Sequence, residues 1–275
     1  MSRTQNRFGD RLLMALVFLF LYAPIIILIV FSFNAGTSSS VWKGFSLKWY
    51  ESLLSNRLIM NSVYTTLLVS LLSTIVASIA GTFAAIGFYN MRKRWSRPLL
   101  TINNIPVINA DIATGVSLCL LFVAAGGILH FDLGYVTLLI AHITFNIPYV
   151  IMSIMPKLYQ MDKNLIDAAQ DLGCTWMQAF YKVVIPEILP GIINGLLIAF
   201  TMSIDDFVIS YFTAGSKVQT LSMTIYAMTR KRISPEINAV STLLFVTVLL
   251  LLAIVNIREM QQENARKKAL KRAQQ

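Results

Sequence analysis

The chain has 275 residues, of which 56% are hydrophobic and only 13% are charged. Because a soluble domain carries about a quarter charged residues, this composition excludes a protein whose whole surface faces water. The formal net charge of +10 comes from short basic runs between apolar segments, which is typical of membrane proteins and forms no nucleic-acid-binding stripe. The two cysteines, Cys119 and Cys174, are too few and too far apart for a disulfide framework or a metal knuckle.

The first apolar run, Leu12–Phe33, follows Arg3, Arg7 and Arg11, an arrangement that resembles a signal peptide. It is longer than the apolar region of a signal peptide, about 7–15 residues, and reaches the length of a spanning helix, about 20 residues. We therefore expect a retained anchor helix. In the loop that follows, residues 45–54 have the apolar spacing of a short helix lying on the membrane surface.

Six apolar stretches are long enough to span a bilayer, so we predict an all-α integral membrane protein with six transmembrane helices. In the second stretch, small residues recur at four-residue spacing on one helix face, which favours close helix packing; they are Ser73, Ala77, Gly81 and Ala85. The predicted spans are Leu12–Phe33, Ser62–Tyr89, Leu99–Ala125, Gly134–Met155, Gly191–Phe212 and Asn238–Ile257.

The lysines and arginines predict the orientation of these spans, because cytoplasmic loops carry an excess of them. With both termini in the cytoplasm, sixteen of the 23 Lys and Arg residues lie inside and seven lie outside. The basic run Arg230–Arg232 goes against this rule. This orientation leaves outer loops near 34–61 and 213–237, a short outer loop near 126–133, and one long inner loop near 156–190.

The inner loop carries the signals of two short helices separated by a glycine turn. Asp162 can cap the first helix, and Gly173 supplies the left-handed residue that ends it. Thr175 can cap the second helix, which we expect to run until Pro186 and Pro190 interrupt it.

Two adjacent alanines leave one face of the first of these helices nearly flat, which suits docking into a groove on a partner. The loop also resembles the EAA loop of bacterial ABC-importer permeases, whose pattern is Glu-Ala-Ala, three residues, Gly, nine residues and Ile-x-Leu-Pro. An aspartate stands here for the glutamate and is one methylene shorter, while Val183 and Ile185 replace the Ile and the Leu. The resemblance implies an ATPase-coupling role for this loop, whose selected residues are Asp167, Ala168, Ala169, Asp171, Gly173 and Pro186.

The resemblance covers residues 62–258 and implies a MetI-like, type I importer permease, with 1–61 as anchor and first outer loop and 259–275 as a basic tail. Because the chain has no Gly-x-x-x-x-Gly-Lys-Ser/Thr phosphate loop, ATP and Mg²⁺ are expected in a separate cytoplasmic ATPase dimer. The other implied partners are a second, homologous permease subunit, an external binding protein and the lipid of the bacterial inner or plasma membrane. No catalytic residue, cofactor or metal is expected in the chain itself.

Three carboxylates fall inside predicted spans, where an aspartate costs about 2.5–3.5 kcal/mol and normally faces a partner or a water-filled path. At a rise of about 1.5 Å per residue, Asp205 lies about 21 Å and Asp111 about 18 Å from the inner face, so these two and Asp206 fall near or slightly beyond the midplane. His142 and Asn146 of the fourth span reach a similar depth, and His142 alone is interpreted as a packing histidine.

No lysine or arginine lies in any predicted span, so we expect an unpaired acidic belt that suits a cationic solute. The candidate pathway residues are Asp111, Asn146, Asp205 and Asp206. The alternative is structural: these aspartates would hydrogen-bond neighbouring helices through Asn103, Asn104 and Asn109.

Several further segments resemble the PotC-type permeases of spermidine/putrescine importers; they are Tyr22–Asn34, Lys48–Tyr50, His142–Pro148, Ser203–Asp206 and Ser234–Ala239. The resemblance implies uptake of polyamines, in agreement with an acidic belt. The same kind of permease for an opine, a phosphonate or ferric iron remains an alternative. A membrane-embedded enzyme is a distant one, because the sequence shows no convergent nucleophile–base pair or metal cluster, and a passive channel would not explain the coupling loop.

Overall fold

The computed structural model describes residues 7–37, 41–109, 111–162, 164–231 and 235–273. Within these ranges the chain is almost entirely helical, and one antiparallel bridge joins Asn34 to Phe45. The helices are α1 (Arg7–Ser32), α2 (Lys48–Ser55), α3 (Arg57–Asn90), α4 (Lys93–Ile108), α5 (Asp111–Leu129), α6 (Tyr135–Gln160), α7 (Asn164–Asp171), α8 (Trp176–Ala179), α9 (Ile185–Asp205), α10 (Val208–Thr213), α11 (Leu221–Lys231) and α12 (Pro235–Ala273), with a π-helical turn at Phe180–Val184.

Among the residues that the structure describes, six helical segments are long and apolar enough to cross a membrane, which confirms the predicted number of spans and the all-α fold class. The side chains of the first segment are largely exposed, as expected for a helix in contact with lipid. The six segments are Arg11–Ser32, Arg57–Asn90, Asp111–Leu129, Tyr135–Gln160, Trp176–Asp205 and Pro235–Ala253.

The helices form two compact units, one of residues 1–60 with 224–249 and the other of residues 61–223 with 250–275. In the first unit, the fully buried Asn34 organises the loop between α1 and α2. Its Oδ1 accepts hydrogen bonds from the backbone amides of Gly36 (3.1 Å) and Lys43 (2.8 Å), and its Nδ2 donates to the carbonyl of Val41 (2.7 Å). The predicted short helix is α2, and its Ser52 hydroxyl donates to the Glu236 carboxylate of α12 over 2.6 Å.

The second unit is built around α6, whose inner face is buried along most of its length. A β-carbon on Gly195 would lie 3.0 Å from Val150 Cα, and one on Gly81 would lie 2.8 Å from the Val150 side chain. Helices α3 and α9 therefore approach α6 so closely that a larger residue at these positions would force its neighbours to shift, a close approach that small residues allow in membrane helices. The predicted small-residue face of α3 is confirmed, since Ser73, Ala77 and Ala85 are fully buried.

The predicted third span, Leu99–Ala125, is wrong in its position. Helix α4 ends at Ile108, the backbone becomes extended at Asn109, and α5 begins at Asp111. The apolar sequence continues beyond Ile108, but the asparagines near the end of α4, of which Asn109 is the last, are compatible with a helix end. Asp111 therefore lies at the start of a spanning helix, and the predicted depth of about 18 Å along one continuous helix does not apply.

The predicted fifth span, Gly191–Phe212, is broken in the structure. Helix α9 ends at Asp205, Asp206 has the extended backbone angles φ −60° and ψ 126°, and the short helix α10 follows. The helix that was predicted to run until Pro186 and Pro190 ends earlier, at Ala179, where the π-helical turn follows. Pro186 lies in the first turn of α9 and Pro190 inside it, so neither proline ends a helix.

The remaining boundary predictions concern the ends of the chain and the outer basic run. The predicted division at 61 and 258 stays a prediction, and α12 continues past the second of these boundaries to Ala273. Of the basic run, Arg230 stacks its guanidinium 5.4 Å from the Tyr226 ring centroid, while Arg232 and Ser234 lie outside the described residues.

Candidate functional site

The first candidate site is the α7–α8 hairpin, residues 162–179, which carries the predicted coupling residues. The Asp162 carboxylate accepts a hydrogen bond from the Asn164 amide (2.9 Å), close to the start of α7. Gly173 has φ 86°, and the amide of Cys174 donates to the Ala169 carbonyl while that of Gly173 donates to Gln170. This pair of bonds is a Schellman motif, which confirms the predicted glycine stop.

The second helix of the hairpin begins at the predicted cap. The Thr175 hydroxyl accepts from the Gln178 amide (3.3 Å), and the Gln178 side chain accepts from the Thr175 amide (3.0 Å), forming a capping box. A π turn then joins α8 to α9, with the Ile185 amide donating to the Phe180 carbonyl five residues earlier. Pro186 has no amide hydrogen, so a wider turn just before it removes the need for one α-helical bond.

The outward face of the hairpin is acidic and apolar. Asp167, Ala168 and Asp171 are exposed, and Leu172 is 87% exposed. Ala169 is buried, so the two alanines do not form one outward face as predicted, because consecutive helical residues point about 100° apart.

The inward face of the hairpin packs on an apolar base. Phe180 and Val184 of the π turn pack with Leu158 of α6 and Ile166 of α7 in one buried cluster. A movement of the hairpin is therefore linked through direct packing to the helix that forms the centre of the second unit.

The second candidate site is the break between α9 and α10. The carboxylate of Asp206 accepts backbone hydrogen bonds from Ile209 (3.2 Å) and Ser210 (2.8 Å) at the start of α10. Its side chain is only 7% exposed and lies 3.6 Å from Nε2 of His142. The expectation of an unpaired acidic belt is therefore wrong for Asp206.

His142 of α6 lies between the two helices that meet at the break. Its Nδ1 is 2.6 Å from the Ser203 hydroxyl of α9, and its Nε2 is 3.0 Å from the Ser210 hydroxyl of α10. The interpretation of His142 as a packing histidine holds in part, since it is fully buried and hydrogen-bonded, but it also joins three helices.

The hydrogen bonds around His142 extend through Ser203 to α3. The Ser73 hydroxyl lies 3.3 Å from the Ser203 hydroxyl, and Asn146 donates through Nδ2 to Ser73 over 3.3 Å. Asn146 is fully buried, and its Oδ1 has no hydrogen-bond partner. This candidate pathway residue therefore lies inside the helix packing.

The other two candidate carboxylates are exposed. Asp205 is the last residue of α9 and Asp111 is the first residue of α5, so they sit at helix ends of opposite polarity. The four candidate pathway residues thus divide into an exposed pair and a buried pair. Among the described residues, no group of three or more His, Cys, Asp or Glu side chains is arranged to hold a metal ion.

The serines of the cluster, Ser73, Ser203 and Ser210, were not among the predicted site residues. A signal for two of them is present in the sequence, because Ser203, Asp206 and Ser210 recur at intervals of three and four residues, the spacing of one helix face. Their common partner on another helix cannot be read from that spacing.

Comparison with known proteins agrees with this architecture. Residues 1–260 match the family described as "Binding-protein-dependent transport system inner membrane component". The putrescine transport system permease protein PotI of Escherichia coli K12 is 38% identical over 235 residues, covering 84% of both chains. The spermidine/putrescine transport system permease protein PotC of Haemophilus influenzae is 34% identical over 241 residues, covering 88% of this chain and 92% of that protein.

Solved structures show the same fold at low sequence identity. A bacterial ABC transporter involved in import of the acidic polysaccharide alginate gives a TM-score of 0.69 at 16% identity, covering 93% of this chain and 98% of its own. The MetNI methionine ABC transporter in an inward-facing conformation gives a TM-score of 0.58 at 22% identity, covering 72% and 93%. The chain therefore belongs to the family of binding-protein-dependent transport system inner membrane components and is a multi-pass ABC transport subunit, not an enzyme.

Proposed function

We propose that this chain is a permease subunit of an ABC importer that takes up polyamines such as putrescine and spermidine. The observation that carries the proposal is its similarity, over 84–88% of its length, to permeases named for these two cargoes. The exposed carboxylates of the second unit supply the chemistry that such cargo requires, because a polyamine is a flexible chain with several positive charges.

Asp205 is the carboxylate most suited to a passing ammonium group. It is exposed at the C-terminal end of α9, where the helix dipole is negative and the last carbonyls lack intrahelical donors. A cation at this point is stabilised by the carboxylate and by the helix end together.

Asp111 is expected to bind a cation more weakly than Asp205 does. It is exposed in the first turn of α5, where the positive end of the helix dipole already stabilises a carboxylate. We assign it a secondary contact along the path.

The α7–α8 hairpin is the proposed docking element for the ATPase. Its residues Asp167, Ala168, Asp171 and Leu172 are exposed, and the helix ends beside them are closed by the Gly173 turn and the Thr175 cap. In this proposal the hairpin and both termini lie in the cytoplasm, and a partner ATPase dimer holds ATP and Mg²⁺.

The remaining proposed partners are a second, homologous permease and an external binding protein that delivers the cargo. A solved relative of the same fold is an alginate transporter in complex with a periplasmic protein, which supports the last of these assignments. In this proposal the binding protein, and not only this chain, determines which cargo is transported.

The test is uptake of radiolabelled spermidine and putrescine by proteoliposomes that contain the full complex and its binding protein. We expect ATP-dependent, saturable uptake that falls at least about tenfold in the Asp205→Asn variant, as expected for loss of a hydrogen bond to a charged group. Asp132→Asn serves as a matched control, because Asp132 is exposed and lies in the loop between α5 and α6.

Two results would contradict the proposal. A wild-type complex that hydrolyses ATP in response to an opine, a phosphonate or ferric iron, and not to polyamines, excludes the cargo assignment. Full polyamine uptake by a variant with both Asp111→Asn and Asp205→Asn excludes the role of the exposed carboxylates.

A further inference from the structure

A helix break that is buried among packed helices needs partners for the backbone groups that it frees, because no water reaches them there. At the α9–α10 break the chain leaves the helix at Asp206, and α10 restarts two residues later. The amides of Ile209 and Ser210 at this restart are both bonded to the Asp206 carboxylate. The carboxylate thus caps the N-terminus of α10, and each of its oxygens accepts a hydrogen bond from a backbone amide.

His142 fixes the carboxylate and both helix ends at once. With the imidazole proton on Nε2, that nitrogen donates towards Ser210 (3.0 Å) and faces Asp206 (3.6 Å), while Nδ1 accepts from the Ser203 hydroxyl (2.6 Å). Every polar contact of the ring is then satisfied. We name the four residues His142, Ser203, Asp206 and Ser210 the His142 clasp.

Packing holds the clasp from the other side. Ile209 and Ser210 are fully buried, and a β-carbon on Gly115 of α5 would lie 3.0 Å from the Phe212 ring. Helix α10 is therefore fixed between α5 and α6. The Ser73 hydroxyl, 3.3 Å from Ser203, extends the connection to α3.

Asp205 has the opposite environment, although it is the next residue in sequence. It is exposed, whereas the Asp206 side chain is 7% exposed. If α9 continued as a helix beyond Asp205, each following residue would point about 100° away from the one before it. Asp205 would then lie in the middle of a helix and not at its C-terminal end. The clasp therefore determines where Asp205 is presented.

We propose that the two adjacent aspartates have different roles, and that Asp206, through the His142 clasp, is a positioning residue that presents Asp205 to the cargo without touching the cargo itself. This inference rests on the proposed transport of polyamines, since it divides the work of that pathway between two residues. It predicts that the negative charge matters at Asp205 and that the hydrogen-bond acceptor matters at Asp206.

The test compares two substitutions at each position, using uptake of spermidine by proteoliposomes with the full complex. At Asp206, alanine removes both acceptor oxygens and lowers the maximal rate about two- to thirty-fold, because the share of complexes with a capped α10 falls by the factor that loss of a helix cap produces. Asparagine keeps one of the two acceptor oxygens and restores part of the rate. At Asp205, asparagine and alanine raise KM equally, about tenfold or more, and glutamate restores it.

A chemical readout separates positioning from contact. In a Cys119→Ser, Cys174→Ser background, Asp205→Cys should react with a cationic methanethiosulfonate reagent, and spermidine should slow that reaction. Asp206→Cys should react at least about tenfold more slowly, as expected for a thiol that is buried in the native fold. Asp132→Cys, at an exposed position in the loop between α5 and α6, is the control, and spermidine should not slow its reaction.

The failures of the two proposals differ. If Asp206→Asn raises KM as much as Asp205→Asn does, or if spermidine protects Asp206→Cys from the reagent, the positioning role is wrong while polyamine transport stands. If the wild-type complex takes up no polyamine, the proposed function fails first. Should Asp206→Ala prevent assembly, Asp206→Asn and the labelling rates still decide between the roles.

Discussion

The α7–α8 hairpin and the α9–α10 break are both interruptions between helices, but their polar groups are satisfied in different ways. In the hairpin, Gly173 and Thr175 close the helix ends through bonds to residues at most five positions away. At the break, His142 reaches Ser203 and Ser210 from 61 and 68 residues away in sequence. The hairpin is held by local bonds and the break by tertiary bonds.

This difference matches the positions of the two regions. The hairpin is largely exposed, so water completes any bond that its backbone leaves open, and its shape can persist while it moves as a unit. The break is buried in a membrane-spanning unit, where each unmade bond carries its full cost. We therefore expect substitutions in the clasp to affect stability more than substitutions in the hairpin.

The largest effect is expected for His142→Leu. Leucine fills much of the volume but leaves the Ser203 and Ser210 hydroxyls without their common hydrogen-bond partner, at a cost of about 1–3 kcal/mol for each polar group left unsatisfied. Thermal melting of the purified complex measures the loss. The control is Thr144→Val, on the exposed side of the same helix, where we expect a change within about 0.5 kcal/mol. Equal melting temperatures for the two variants would show that the clasp does not stabilise the break.

The sequence was sufficient to predict the hairpin because its signals are local. Asp162, Gly173 and Thr175 each act on backbone groups within a few residues, and all three have the predicted bonds. The number of spans was predictable for a similar reason, because length and apolarity belong to each segment alone.

The surroundings of the candidate pathway residues were predicted less well because they depend on other helices. A single apolar run hid the stop before Asp111, so the depth of that residue was wrong. Asp206 was predicted to lack a partner because no lysine or arginine lies in any predicted span. Its partners are backbone amides that are free only because the helix breaks, and a histidine of α6. The π turn before Pro186 replaced the predicted interruption, since a helix can widen to accommodate a proline.

A smaller effect, confined to the hairpin, is expected for Gly173→Ala. The left-handed backbone of Gly173 costs about 1–2 kcal/mol for a residue with a β-carbon, so the Schellman motif is weakened. The same change at Gly87, an exposed helical position with open space around it, should instead stabilise by about 0.5–1 kcal/mol. ATPase retained on the affinity-purified permease provides the measurement. Loss of ATPase with Gly87→Ala, or its full retention with Gly173→Ala, would contradict a rigid hairpin as the docking element.

Removal of the second hairpin cap is expected to cost less. Thr175→Val keeps the shape of the side chain but removes the hydroxyl that accepts from Gln178, for a loss of about 1 kcal/mol, and Thr175→Ser should preserve it. Hydrogen exchange at the Gln178 amide reports this bond directly. We expect about fivefold faster exchange in the valine variant, the factor that corresponds to such a loss. Unchanged exchange would mean that water or another group satisfies that amide.

The smallest effects on stability, and of opposite sign, are expected at the two acidic residues of α7. Asp167 lies in the first turn, where the dipole favours a carboxylate, and Asp171 is the last residue, where the dipole disfavours one. Asp167→Asn should therefore destabilise α7 by a few tenths of a kcal/mol, while Asp171→Asn should stabilise it by a similar amount. If the ATPase recognises the negative charge of the hairpin, Asp171→Asn weakens ATPase binding even though it stabilises α7. The affinity of both variants for the ATPase then depends less on salt concentration than that of the wild type. Binding that follows helix stability alone, tighter for Asp171→Asn and weaker for Asp167→Asn, would show that the ATPase recognises the shape of the hairpin and not its acidic side chains.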